Sequence, residues 1–156
     1  MTRFADLLRA LGSSGVDFIL VGGLAAAAHG SARSTQDVDV VYRRGTDNIE
    51  RLVLALAPHK PYLRGAPPGL PFRFDTPTVA SGLNFTLTTN LGWIDLLGEI
   101  VGGGTYDDLV QRCVTIDVFG IHCHVLDLET LIVTKRAAGR PRDLEAIAEL
   151  ELLRNR

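Results

Sequence analysis

Apolar residues along the chain switch between two spacings, and each switch marks an element. Phe4, Leu7, Leu8 and Leu11 recur every three or four residues. That spacing predicts an amphipathic first helix, which Thr2 can cap and Gly12-Ser13-Ser14-Gly15 ends. "VDFILV", residues 16–21, is a short unbroken apolar run of the kind a buried strand shows, and Gly22-Gly23 breaks it. The alanines of "LAAAAHG" favour a short helix with Gly30 as its stop. A polar loop, "SARSTQ", and a second strand, "DVDVVY", follow. Residues 48–56 form another amphipathic helix, which stops near Pro58.

Residues 58–78, "PHKPYLRGAPPGLPFRFDTPT", are dense in Pro and Gly and read as a loop or irregular edge. They do not divide two domains, because neither flank alone has enough strands for a sheet. "LNFTLTTN" and "GWIDLLG" predict a hairpin around Asn90-Leu91-Gly92, and "CVTIDVFGIHCHVLD" a second one turning at Phe119-Gly120. Asp127 can cap "LETLIVTKRAAG", and "RPRDLEAIAELELL" closes the pattern with Pro141 in its first turn. No internal repeat is present. The pattern predicts one α/β domain over residues 1–156, with a mixed sheet and helices at both ends.

Composition supports a sizeable core: 46% of the 156 residues are hydrophobic and 22% charged. A formal charge of −2 gives no bulk attraction to a nucleic-acid backbone, although a local basic patch is compatible with it. Two cysteines, Cys113 and Cys123, are too few for a disulfide framework. No stretch reaches the roughly 20 apolar residues a membrane span needs. The N-terminus lacks a signal-peptide pattern. A cytoplasmic protein that does not engage a membrane is the expectation.

The chemistry lies in "DVDVVY". A strand alternates its faces, so Asp37 and Asp39 point the same way, with Cα atoms about 6.5–7 Å apart. Val38 and Val40 point into the core. Two like charges on one face suit a divalent cation between them, and magnesium takes oxygen ligands while leaving positions for phosphates. The plain alternative is a solvent-facing strand edge with incidental acids. Three Asp-x-Asp chemistries are separated by placement. In haloacid-dehalogenase-type phosphatases and many glycosyltransferases the acids follow an apolar strand, whereas here they begin one.

That order, after a strand-Gly-Gly-helix unit, resembles the nucleotidyltransferase superfamily that includes DNA polymerase β. The signature reads Val21-Gly22-Gly23, a spacer from Leu24 to Gln36, then Asp37-Val38-Asp39-Val40. Arg33-Ser34-Thr35, and Lys135 with Gly139-Arg140-Pro141-Arg142-Asp143, are similar to stretches of the minimal AbiEii/AbiGii toxin type. The resemblance implies a mixed sheet flanked by helices, with a C-terminal helical pair. It also implies transfer of a nucleoside monophosphate from an NTP to a hydroxyl of RNA, protein or a small molecule. Mg²⁺ or Mn²⁺ would serve as cofactor, held as two ions by Asp37 and Asp39, with Asp95 of "GWIDLLG" as third carboxylate. A toxin–antitoxin setting, with a cognate toxin or antitoxin as partner, is a further implication.

Other residues carry two readings each. Gly22 and Gly23 let backbone N–H groups approach phosphate, or simply make a turn. Arg33 and Ser34 could meet a triphosphate. Lys135 could aim its ammonium at the acidic cleft or snorkel to the surface. Asp95 could instead pair with an arginine at a strand end. Asp143 reads first as a helix cap, and with Arg140 could orient Lys135. His29 is expected to pack or cap, Trp93 to fill the core beside Asp95, and both cysteines to be buried thiols. His122 and His124 share a strand face but lack further zinc ligands at a recognisable spacing. A non-catalytic nucleotide-sensing or partner-binding module on the same fold is the rival to an enzyme.

Overall fold

The computed structural model describes residues 1–156. The first helix, α1 (Phe4–Ser13), buries Leu7, Leu8 and Leu11 completely, as their spacing predicts. Thr2 does not cap it; Arg3 holds that position without a side-chain bond. The Thr2 hydroxyl instead donates to the Gln36 carbonyl and accepts from the Trp93 amide, clamping two segments that both enter the sheet.

The strand expected over 16–21 is β1 (Phe18–Val21), buried throughout. Gly22 and Gly23 do more than break it, for they are the first turn of α2 (Gly22–Ala28). His29 caps that helix, and its Nε2 lies 2.8 Å from the Leu126 carbonyl. Next come β2 (Asp37–Tyr42) and α3 (Thr46–Leu56). Along β2, Val38 and Val40 are fully buried while Asp37 and Asp39 are only partly so, as a period of two requires.

The Pro/Gly-rich stretch is more ordered than its composition suggests. It contains β3 (Tyr62–Leu63) and leads into α4 (Thr76–Ser81), which Asp75 caps by accepting from the Thr78 amide at 2.9 Å. The hairpin β4 (Phe85–Thr89) and β5 (Gly92–Leu97) follows as expected. Short β6 (Glu99–Ile100), β7 (Gly104–Thr105) and α5 (Tyr106–Leu109) were not legible as elements. The second hairpin is β8 (Cys113–Val118) with β9 (Ile121–Leu126), and the chain closes with α6 (Leu128–Ala138) and α7 (Pro141–Arg154) packed on each other.

Seven strands form one mixed sheet in the order β3-β4-β5-β2-β1-β9-β8, with β6 and β7 as a separate ribbon. The central strand β2 runs antiparallel to β1 and parallel to β5. A connected core of 33 buried residues runs through the sheet and its helices. Cys123 lies within it, whereas Cys113 is only half-buried. No helix is long and apolar enough to cross a membrane.

Candidate active site

Sheet order brings the acids together. In the parallel β2–β5 pair, Asp39 is register partner of Asp95, and Asp37 of Trp93. Residues at one level of neighbouring strands project to the same face, so Asp37, Asp39 and Asp95 converge. One carboxylate oxygen from each lies within 4.8 Å of the others.

Such proximity is electrostatically unfavourable without a cation. Burial, and then the charges of Asp37 and Asp95, push the Asp39 carboxyl up to about 8. Asp37 is raised as well, by burial first and by Asp95 second, with Arg64 pulling the other way. Asp39 Oδ1 is buried and has no hydrogen-bond partner. An unsatisfied carboxylate oxygen beside two more carboxylates is a donor set of the kind hard divalent cations take. These residues therefore fit a hard divalent cation.

Gly22 faces this cluster. Its φ is +69°, and a Cβ there would fall within 2.9 Å of Asp39 Cβ and Cγ, closer still to the carboxylate. A Cβ on Gly23 would meet the Thr35 side chain at 2.7–2.8 Å. Glycines are required because the α2 entry crosses directly over β2 and the loop before it.

The triad opens into a cleft of about 740 Å³. Gly22, Gly23, Arg33, Ser34 and Lys135 all line it alongside the three acids. Lys135 is four-fifths covered, and its Nζ lies 3.7 Å from Asp143 Oδ1. Asp143, 2% exposed, also accepts from the Arg140 backbone N–H and from Arg140 Nε at 2.6 Å, so it is both a helix cap and the anchor of two cleft cations. Glu149 ties the Ser31 hydroxyl and the Ala32 amide to α7, holding the loop that carries Arg33 and Ser34.

Arg64 is the residue that sequence reasoning missed. The hydrogen bond from its amide to the Thr86 carbonyl, 3.0 Å, continues the β3–β4 register, and Thr86 pairs with Asp95. Its guanidinium thereby reaches within 3.6 Å of Asp37 Oδ2 and 2.9 Å of Asp95 Oδ1. Nη2 donates to the Leu87 carbonyl at 2.7 Å, so the Asp95 contact is an ion pair rather than an aligned hydrogen bond. Asp95 thus joins the triad and pairs with an arginine at once. Trp93 does not fill the core: it is 40% exposed, with the guanidinium 4.8 Å above its ring. No local spacing signals this, because Arg64 reaches the acids through a long-range strand pairing.

The chain has a nucleotidyltransferase-like fold. A crystal structure of a provisionally assigned nucleotidyltransferase from Thermotoga maritima, TM1012, superposes with a TM-score of 0.56 over 99% of this chain and 94% of that one, at 14% identity. At that identity the likeness speaks to the fold. No protein-family model matches the sequence, and no curated protein resembles it significantly.

Proposed function

We propose that the protein is a divalent-cation-dependent nucleotidyltransferase that moves a nucleoside monophosphate from an NTP to a hydroxyl acceptor. The observation that carries this reading is the convergence of Asp37, Asp39 and Asp95 within 4.8 Å, under a Gly-Gly turn and at the floor of a cation-lined cleft. In the reaction the acceptor oxygen bonds to the α-phosphorus as the α–β bridging P–O bond breaks, releasing pyrophosphate. Asp37, Asp39 and Asp95 would hold a cation that, when bound, would neutralise charge at the phosphoryl oxygens and lower the pKa of the acceptor hydroxyl. Asp95 lies on the acceptor side in this reading, and Asp37 and Asp39 on the nucleotide side.

The chain's own groups do the remaining work. Gly22 and Gly23, lacking side chains, leave room for phosphate oxygens against the backbone. Arg33, Lys135, Arg140 and Arg142 line the cleft and balance triphosphate charge, and the Ser34 hydroxyl beside them can donate a hydrogen bond to a phosphate oxygen. Asp143 positions Arg140 and Lys135 for that task. An RNA or a partner protein as acceptor, as in a toxin–antitoxin pair, belongs to the same proposal.

The test offers four α-labelled NTPs with Mg²⁺, total RNA and cell protein to wild type and to an Asp37→Asn/Asp39→Asn variant. Label should enter a discrete acceptor only with wild type. Equal labelling by both preparations would refute the site.

A further inference from the structure

Arg64 occupies one side of the triad in a way a passing surface arginine does not. Its contacts to Asp37 and Asp95 are matched by three that involve no carboxylate: the amide bond to Thr86, the Nη2 bond to the Leu87 carbonyl, and the stack on Trp93. The side chain is 19% exposed. None of the three anchors uses an oxygen that a metal ion in the acidic cluster would take. The guanidinium brings one delocalised positive charge to the cluster.

We propose that Arg64 is a built-in counter-cation of the triad, fixed on its Asp37–Asp95 side, so that the site takes one divalent ion rather than two. The proposal rests on the triad being a metal site, as argued above. Three carboxylates and one guanidinium leave two negative charges, which one divalent cation neutralises. Two carboxylate oxygens of the triad lack a hydrogen-bond partner, Asp39 Oδ1 and Asp95 Oδ1; the second is ion-paired with Arg64, so Asp39 Oδ1 is the one with neither contact. The other oxygen of that carboxylate, Oδ2, is the one against Gly22, so Oδ1 is the position left open to a cation. Arg64 Nε is buried and unpaired as well.

Counting bound Mn²⁺ tests this directly. The full chain is titrated with Mn²⁺ alone, and free ion is read by electron paramagnetic resonance. Wild type should bind one Mn²⁺, and Arg64→Gln or Arg64→Met should bind two, with folding checked by circular dichroism and a melt. Two ions on wild type would overturn the proposal by itself, whatever the variants do. One ion on wild type and still one on a folded variant would overturn it too. The wild-type ion should vanish in Asp37→Asn/Asp39→Asn. Were it retained there, or absent from wild type, the metal reading of the triad would fall first, and this inference with it.

Discussion

Gly22 and Asp39 are packed so closely that a single methyl group between them has no space: an added Cβ would lie 2.9 Å from Asp39 Cγ. Gly22 also holds φ at +69°, where an L side chain is strained. Gly22→Ala should therefore cost about 1–2 kcal/mol for the left-handed backbone and about 1–3 kcal/mol for overpacking. A differential melt reads this as a drop of roughly 5–15 °C for a chain of this size. A melt within a degree of wild type would show that the glycine is not required by this contact.

The Asp39 carboxyl, pushed up to about 8, ties stability to pH in the metal-free chain. The unfolded chain releases this proton near 3.9, so between about 4 and 8 the folded state binds more protons than the unfolded one. Stability attributable to this group should fall as pH rises through that window and level off above it. Mg²⁺ should flatten the fall, because it binds the ionised form. Asp39→Asn should reduce the slope, leaving the smaller part that the raised Asp37 carboxyl contributes. Urea midpoints taken at pH 5, 6, 7 and 8 check this, and an Asp39→Asn variant with the wild-type slope would count against the shift.

Much of this site could be read before the structure. The period-two pattern of "DVDVVY" put Asp37 and Asp39 on one face, and a lone acid in "GWIDLLG" marked Asp95. What the pattern could not convey is strand order. That β5 lies beside β2, with Asp39 level with Asp95, depends on long-range pairing. The same limit hid Arg64, which sits in a Pro/Gly-rich segment whose composition suggests loop, yet it joins β4 by strand pairing. Thr2 misled for a related reason. Its hydroxyl has the chemistry of a cap, but partners at Gln36 and Trp93 outcompete the local helix end.

Asp143 is nearly inaccessible to solvent, and Arg140 holds its carboxyl below the usual carboxylate range. Asp143→Ala removes the acceptor of the Arg140 backbone N–H at the helix start and of a charged hydrogen bond from Arg140 Nε, with an expected loss of about 2–3 kcal/mol. The depressed pKa means that this contribution is present above about pH 4 and is lost as pH falls through the folded value. Lys135 and Arg140 would also lose their shared anchor, so nucleotide affinity should weaken with stability. A variant that melts like wild type and binds nucleotide equally well would remove Asp143 from both roles.

Asn48 provides a control far from the chemistry. It is fully buried; its Oδ1 accepts from the Asp17 amide at 2.7 Å, and its Nδ2 donates to the Asp17 and Arg43 carbonyls at 3.0 and 2.8 Å. It thus ties the segment entering β1 to the segment leaving β2. Asn48→Ala strands the Asp17 amide and the Arg43 carbonyl, while the Asp17 carbonyl keeps its bond from the Arg43 amide, at about 1–3 kcal/mol for each stranded group that water does not reach. A loss of about 2 kcal/mol or more in a chemical melt is the expected result. Mn²⁺ affinity, measured below the melting transition, should stay within about twofold of wild type, since Asn48 touches none of the three carboxylates. A parallel collapse of both properties would mean that the triad's geometry depends on this distant link, and that the β2 register is less firmly set by its own pairing than the sheet suggests.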